Sequence, residues 1–204
     1  MTLEPRIYLA SKSPRRRELL TQIGVRFDLL MFRAPPREDP ATDETPLAGE
    51  APEDYARRVA TAKAQHGTAL VGMRKLIARP VLAADTTLDV DGEIIGKPRD
   101  GADAVDILNR LSGRTHEVIT AVALSHADVC ECVANVSEVR FRKLDAEEIR
   151  RYVASGEPHD KAGAYGLQGR AAIFVEEVRG SPSGIVGLPL CETSLLLRRF
   201  GYPI

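Results

Sequence analysis

RIYLASKSPRRRELL, residues 6–20, predicts a short buried strand, a polar turn and the start of a helix. The apolar run 7–10 is typical of a strand that is covered on both faces. Ser13 and Pro14 supply a helix N-cap and a proline at the first helical position, and Gly24 is a stop signal. This stretch therefore predicts that the chain begins with a β–α unit.

The rest of the chain alternates between strand and helix patterns in the same way. The patterns predict helices over 53–70, from Asp100 to Gly113, after Asp145 and over 189–200, and strands over 80–84, 86–90, 93–95, 118–124, 133–141 and near 172–178. Asp91-Gly92 is a strong hairpin signal, and residues 33–52 and 180–188 are predicted as loops, the first of them mobile and beside the ligand. We therefore expect an α/β fold with a mixed central β-sheet flanked by helices, as a single domain spanning 1–204.

Composition and charge narrow the classes of function. The net charge is −1, so the chain offers no overall positive field to the backbone of a nucleic acid. Aromatic residues make up only 5% of the 204 residues and Trp is absent, so it also offers few rings on which bases could stack. No apolar run approaches the roughly 20 residues that span a bilayer, and residues 1–6 are too polar for a signal peptide. We expect a cytoplasmic protein that binds neither nucleic acid nor membrane, with free thiols at Cys130, Cys132 and Cys191.

Positive and hydroxyl side chains gather at the start of the first predicted helix. Ser11, Arg15 and Arg16 lie where exposed backbone N–H groups and the helix dipole favour an anion. Arginine can also grip phosphate oxygens in bidentate fashion. The alternative is an ordinary capped surface helix whose arginines are solvated. The pattern indicates a phosphate site but does not by itself establish one.

Asp85 follows the apolar run PVLAA, so we expect it at the end of a buried strand. Open α/β sheets collect ligands and catalytic groups at such strand ends. A carboxylate there can hold a divalent metal, activate a water, or do both. The alternative is an aspartate that only caps a turn.

Two glycine-containing segments offer further ligand groups. The segment 92–98 imitates a phosphate-binding P-loop, but its spacing is one residue short and Pro98 replaces the hydroxyl residue that such loops use for Mg²⁺. We reject the P-loop and keep Lys97 as a candidate phosphate ligand. In the segment 160–169, Gln168 offers both a donor and an acceptor to the edge of a base. The alternative for this second segment is a plain Gly-rich connection.

Taken together, these motifs resemble the Maf family of nucleotide pyrophosphatases. SKSPRRRELL, AADTTL, DGEIIGKPRD, YVASGEPHDKAGAYGLQGRAAIF and GIVGLPL occur in the family's order and approximate spacing. The resemblance extends from Ile7 to Phe200 and implies a fold similar to that of other house-cleaning nucleotide pyrophosphatases such as ITPases, with two lobes around a deep cleft.

The resemblance also implies roles for residues of this sequence. It makes Asp85 the proton acceptor and a metal ligand. It assigns the selection of the base to Arg15, Thr86 and Gln168. It assigns phosphate binding and catalysis to a second set: Ser11, Arg16, Lys63 and Lys97. It further implies a divalent cation, Mg²⁺ or Mn²⁺, as cofactor, a nucleoside triphosphate as substrate, and a homodimer.

Within the family, Thr86 and Gln168 resemble the branch that hydrolyses dTTP and UTP to the monophosphate and pyrophosphate. The same reaction on 7-methyl-GTP, CTP or a modified pyrimidine nucleotide is one alternative, and a nucleotide-binding regulator of septum formation without turnover is another. Members of the family commonly have an acidic residue in an "Asp-Glu" setting shortly after the second strand. This chain departs from that pattern, and Glu38 is a candidate replacement. Pro182 and Gly184 also depart from the family's usual residues.

Overall fold

The computed structural model describes residues 5–33, 39 and 43–204, and Glu38 therefore lies outside the described residues. The strands are β1 (Ile7–Leu9), β2 (Phe27–Leu29), β3 (Val81–Val90), β4 (Glu93–Ile95), β5 (Thr115–His126), β6 (Val129–Phe141) and β7 (Val175–Arg179). The helices are α1 (Pro14–Gln22), α2 (Pro52–Met73), α3 (Gly101–Leu111), α4 (Ala146–Ala154), α5 (Pro182–Val186) and α6 (Leu190–Arg199).

All seven strands form one mixed sheet in the order β2-β1-β3-β5-β6-β7, with β4 paired to β3. The pairs of β1 with β2 and β3 are parallel, and the other pairs are antiparallel. The predicted α/β class with a mixed sheet flanked by helices is confirmed. The hairpin is also confirmed, because Asp91 and Gly92 connect β3 to β4 with φ angles of 57° and 82°, as a tight hairpin turn requires.

Local signals explain where the helices begin. The side chains of Ser13, Asp100 and Asp145 each accept a hydrogen bond from the backbone N–H three residues on, as predicted for N-caps. Each cap satisfies a donor that the first helical turn leaves without a partner.

Helices cover the sheet differently at its two ends. At the β1 end, α2 packs on one face against alanines and small aliphatic residues of β3 and β5, and α1 and α6 pack leucines on the other face. At the far end, α3 and α4 cover a cluster rich in leucine and aromatic side chains, including Phe141 and Phe174. The functional cavity lies between these packed regions.

Three details differ from the sequence prediction. The strand expected near 172–178 begins only at Val175, because Arg170–Phe174 forms a 3₁₀ helix that buries Ala171 and Phe174. The loop predicted over 180–188 contains α5, which Ser181 caps by accepting from the N–H of Gly184. The edge strand β2, three residues long, was too short for its pattern to be recognised.

Two further observations concern membrane-spanning helices and cysteines. In the part of the chain that the structure describes, no helix combines the length and apolarity needed to cross a bilayer. The cysteines at 130, 132 and 191 form no disulfide with one another, as predicted.

His116 makes stability depend on pH. It is 3% exposed, its Nε2 lies 2.8 Å from the Tyr165 hydroxyl, and burial followed by the charge of Arg114 lowers its pKa from 6.5 to about 4. Because the unfolded chain binds this proton more readily, the contribution is full above pH 6.5 and is lost as pH falls from 6.5 towards 4. We expect a slope of about 1.4 kcal/mol per pH unit in that window from this group.

Urea unfolding of the wild type and of His116→Gln measures this effect. The glutamine can keep a hydrogen bond to Tyr165 but does not titrate. The free energy of unfolding of His116→Gln should therefore fall less than that of the wild type between about pH 6.5 and pH 4.5. Identical pH slopes for the two proteins would contradict a role for His116.

Candidate functional site

A cavity of about 770 Å³ opens between the two packed regions of the sheet. It is lined by all eight side chains that the sequence analysis selected: Ser11, Arg15, Arg16, Lys63, Asp85, Thr86, Lys97 and Gln168. These residues come from α1 and the turn before it, from α2, from β3, from the segment after β4 and from residues 160–169, the Gly-rich segment. The fold therefore brings distant stretches of sequence to one place.

Asp85 does not lie at the end of its strand, and that prediction is wrong. It is the fifth residue of the ten-residue strand β3, which continues to Val90 through a further run of β-forming residues. It still reaches the cavity because β1 pairs only with Val81 and Leu82, whereas β4 pairs only from Leu88 onward. Between them, one edge of β3 has no neighbouring strand in the described part of the sheet, and the cavity lies at this gap.

Two carboxylates converge on one buried ammonium group in the cavity. Lys63 Nζ, on α2, lies 2.9 Å from Asp85 Oδ1 and 2.5 Å from Glu44 Oε1. The other oxygen of Glu44 lies 3.5 Å from Lys97 Nζ. Asp85, Lys63, Glu44 and Lys97 therefore form a continuous chain of alternating charge. The side chains of Lys63 and Asp85 are only 11% and 9% exposed, so water screens their interaction weakly.

Burial and charge shift the two carboxyl groups in opposite directions. Burial raises the pKa of Asp85 above its ordinary value, although Lys63 and Arg16 act against the shift. Burial also acts to raise the pKa of Glu44, but the charges and hydrogen bonds of Lys63 and Lys97 outweigh it and leave that pKa lowered. Two carboxyl groups whose pKa values are pushed apart are typical of a site that handles protons.

Arg16 is fixed by three neighbours rather than solvated. Its Nε donates to the carbonyl of Gly187 at 2.7 Å, Nη1 to Ser11 Oγ at 3.4 Å and Nη2 to Thr86 Oγ1 at 3.1 Å. A guanidinium group has five N–H donors, so two remain for a ligand in the cavity. The ordinary surface-helix alternative is wrong for this arginine, which burial and its hydrogen bonds preorganise.

The opposite rim of the cavity is formed by the Gly-rich segment. Arg15 Nη1 lies 3.5 Å from Asp160 Oδ2, and Lys161 Nζ lies 2.7 Å from the other oxygen of Asp160. Gln168 is exposed at this rim, and its amide is available to a ligand.

Glycines allow this segment to pack closely. Gly163, at a φ of 70°, donates its N–H to the carbonyl of Gly96 at 2.9 Å, directly before Lys97. A Cβ at Gly163 would lie 2.2 Å from the Leu88 side chain. A Cβ at Gly169 would lie 2.0 Å from a carboxylate oxygen of Glu157. Gly163 is therefore favoured both by its positive φ and by its contact with the buried Leu88, which argues against a plain connection, whereas the close atom at Gly169 is the movable end of the Glu157 side chain.

Glu44 also lines the cavity, and the sequence patterns did not single it out. The family resemblance implies an acidic residue in an "Asp-Glu" setting after the second strand, and the candidate for it, Glu38, lies outside the described residues. The chain does contain Asp43-Glu44, and the structure places Glu44 against Lys63 and Lys97. This dipeptide was the available signal, but the long stretch of sequence between it and the second strand obscured the register.

The donor set fits a hard divalent cation. Asp85 and Glu44 both present carboxylate oxygens to the cavity, and Mg²⁺ is commonly held by one or two carboxylates together with phosphate oxygens of a ligand. No cluster of three or more His, Cys, Asp or Glu side chains suited to a metal occurs among the described residues. A cation at this place would therefore take part of its coordination shell from the ligand and from water.

The fold and the cavity define an α/β protein with a cleft whose cations and paired carboxylates suit a polyanionic, metal-binding ligand. The family model described as Maf-like protein matches residues 6–200. The chain belongs to this family.

Named relatives agree with this membership. The chain is 61% identical over 197 residues to a dTTP/UTP pyrophosphatase from Dechloromonas aromatica, covering 97% of this chain and 98% of the relative. It is 59% identical over 203 residues to one from Aromatoleum aromaticum (99% and 98%), and 55% identical over 197 residues to one from Burkholderia pseudomallei (95% and 93%). Among solved structures, the Staphylococcus aureus Ham1 protein matches with a TM-score of 0.44 and 16% identity over 67% of this chain and 71% of that one.

Proposed function

We propose that this protein is a nucleoside triphosphate pyrophosphatase that hydrolyses dTTP and UTP to the monophosphate and pyrophosphate, and so removes unwanted nucleotides from the pool. The observation that carries the proposal is the buried Asp85–Lys63 pair, joined by the more exposed Glu44, beside the cations Arg16 and Lys97 in one cavity. The full-length identity to relatives that bear this name supports the choice of substrate.

The cationic side chains have the first task in the mechanism. A triphosphate is a polyanion that repels an attacking oxygen nucleophile. Arg15, Arg16 and Lys97 line the cavity and neutralise and orient the phosphates, which lowers this repulsion where charge develops. Arg16 does so from a fixed position, because Gly187 and Thr86 hold its guanidinium group.

Asp85 has the second task. We assign it as the group that takes the proton from the water that attacks the α-phosphorus, as the bond to the bridging oxygen breaks and pyrophosphate leaves. Burial raises its pKa, which makes it a stronger base than an exposed carboxylate, and the Lys63 ammonium acts in the opposite direction by favouring the ionised form. Lys63 also orients the carboxylate by direct hydrogen bonding.

A divalent cation completes the proposal. Asp85 and Glu44 would hold Mg²⁺ or Mn²⁺, which when bound neutralises phosphate charge and lowers the pKa of a coordinated water. We expect chelation by EDTA to abolish turnover and added Mg²⁺ or Mn²⁺ to restore it.

A panel of triphosphates with pyrophosphate detection tests the function. UTP and dTTP should be hydrolysed with the highest kcat/KM, and CTP, 7-methyl-GTP and the purine triphosphates with lower values. A preference for 7-methyl-GTP, for CTP or for a modified pyrimidine nucleotide would replace the substrate and keep the reaction. Tight nucleotide binding without any pyrophosphate release would instead favour the regulator of septum formation.

Gln168→Ala tests base selection. The amide at the cavity rim can hydrogen-bond the edge of a pyrimidine, and a site that loses such a partner discriminates less well. We expect the preference for UTP over ATP in kcat/KM to fall by about tenfold or more, with a smaller change in kcat for UTP. An equal loss on every nucleotide would contradict this assignment.

The family resemblance extends the proposal to a cytoplasmic homodimer that binds neither nucleic acid nor membrane. Sedimentation of the purified protein at several concentrations tests the dimer. A monomer at every concentration would remove it without affecting the proposed reaction.

A further inference from the structure

A buried threonine behind the cavity controls a side chain on its wall. Thr86 on β3 and Thr120 on β5 lie directly opposite each other in the antiparallel register, and their Oγ1 atoms are 2.9 Å apart. Thr86 lines the cavity, whereas Thr120 is 0% exposed and does not reach it. Thr120 Oγ1 also lies 2.8 Å from the carbonyl oxygen of Gly184 in α5.

These contacts fix the direction of every hydrogen bond in the chain. A carbonyl oxygen can only accept, so the single hydroxyl hydrogen of Thr120 is donated to Gly184. Thr120 must then accept from Thr86, whose only hydrogen is consequently turned away from the cavity. From the other side, Arg16 Nη2 donates to Thr86 Oγ1 at 3.1 Å.

The result is a hydroxyl group that can only accept. A threonine hydroxyl has one hydrogen and two lone pairs. For Thr86 the hydrogen goes to Thr120 and one lone pair goes to Arg16. A ligand in the cavity therefore meets the remaining lone pair and no hydrogen.

A ligand group that contacts Thr86 must accordingly be a hydrogen-bond donor. Ionised phosphate oxygens are acceptors and are excluded from this contact. The 2′-hydroxyl is absent from dTTP, so it cannot be a donor common to dTTP and UTP. The 3′-hydroxyl is common to dTTP, UTP and CTP, so a contact to it would not distinguish UTP from CTP. Both nucleotides share the imino N–H of thymine and uracil, whereas the corresponding ring nitrogen of cytosine carries no hydrogen.

We infer that Thr120 is a specificity-determining positioning residue, which holds Thr86 as a pure acceptor for the imino N–H of uracil and thymine and so excludes cytosine. The inference rests on the proposed function and adds to it the atom by which the site distinguishes UTP from CTP. Because UTP and CTP carry the same sugar and phosphates, only a contact to the base can change their ratio.

Thr120→Val is the decisive variant. Valine keeps the shape of the side chain, and the Gly184 carbonyl still accepts from the N–H of Gly187 at 2.9 Å, so it keeps a backbone partner. The hydrogen of Thr86 becomes free to turn into the cavity and donate to the cytosine ring nitrogen. We expect the UTP-to-CTP ratio of kcat/KM to fall by about tenfold or more. The UTP-to-GTP ratio should stay unchanged, since guanine also presents an imino N–H.

Two variants serve as controls. Thr120→Ser restores the hydroxyl and should keep the wild-type UTP-to-CTP ratio. Thr193→Val removes the hydroxyl of another threonine that is 0% exposed, and whose Oγ1 has no hydrogen-bond partner within the described part of the chain. It should leave both ratios unchanged.

The inference is overturned if folded Thr120→Val keeps the wild-type UTP-to-CTP ratio, if Thr120→Ser loses the ratio to the same extent, or if the UTP-to-GTP ratio moves equally. Should Thr120→Val not fold, the wild type can be tested with N3-methyluridine triphosphate, which lacks the imino hydrogen. A loss of about 100-fold in kcat/KM relative to UTP supports the inference, and hydrolysis at the rate of UTP overturns it. A wild type that releases no pyrophosphate from UTP removes the proposed function itself, and this result is distinct from the others.

Discussion

Asp85→Asn is expected to lower kcat for pyrophosphate release by about 10²–10⁴, the range typical of a lost general base. The variant should still fold, because the asparagine amide oxygen can accept the hydrogen bond from Lys63 that the carboxylate accepts at 2.9 Å. It should also still bind nucleotide, since Arg15, Arg16 and Lys97 are unchanged. Single-turnover kinetics and equilibrium binding of UTP separate these effects.

Asp89→Asn provides a matched control. Asp89 lies four residues further along β3 and accepts from the N–H of Gly92 rather than lining the cavity. The same chemical change there should leave kcat within about twofold of the wild type, as is usual away from a reacting centre. A wild-type kcat in Asp85→Asn would remove Asp85 from the proton-acceptor role.

Lys63→Met is expected to change both rate and stability. It removes the ammonium group between Asp85 and Glu44 and leaves the buried carboxylate of Asp85 without its partner and close to that of Glu44. Removing one partner of a buried ion pair costs roughly 3–5 kcal/mol in free energy of unfolding. Without the cation, the pKa of Asp85 rises further, so a larger share of it is protonated at neutral pH and kcat/KM falls.

The pH profile distinguishes this explanation from simple loosening of the fold. Lys63 lowers the pKa of both carboxyl groups, so its loss should move the acid limb of the kcat/KM profile to higher pH. Lys143→Met, at an exposed position, should leave the profile and the free energy of unfolding unchanged. A uniform loss of activity at all pH values, with no movement of the acid limb, would show that Lys63 does not tune the carboxylates.

Much of the fold followed from short-range signals. The caps at Ser13, Asp100 and Asp145 act within one helical turn, and Asp91-Gly92 acts within four residues, so their chemistry is readable from adjacent letters. Apolar runs likewise predicted the long strands, although β5 and β6 are longer than their apolar centres. The short helix α5 was missed because its five residues include proline and glycine, which are typical of loops.

Most residues that line the cavity could be selected from the sequence, but the contacts between them could not. Local chemistry selected Asp85 and Arg16 as candidates, whereas the resemblance supplied Lys63, which no local pattern marks. The contact of Glu44 with Lys63 joins residues 19 positions apart in the sequence. The contact of Thr120 with Thr86 joins residues 34 positions apart and depends on the register of β3 and β5. Such pairings are fixed by the whole sheet, so one segment of sequence does not reveal them.

The unbroken pairing of β3 with β5 has a mechanical consequence. Nine successive pairs, from Val81 with Ser125 to Asp89 with Glu117, run from one packed end of the sheet to the other. A hinge motion that separates the two packed ends would have to break backbone hydrogen bonds between β3 and β5. A ligand that enters the cavity would therefore meet a stiff back wall formed by β3 and β5. Amide exchange in these two strands should be equally slow with and without bound ligand.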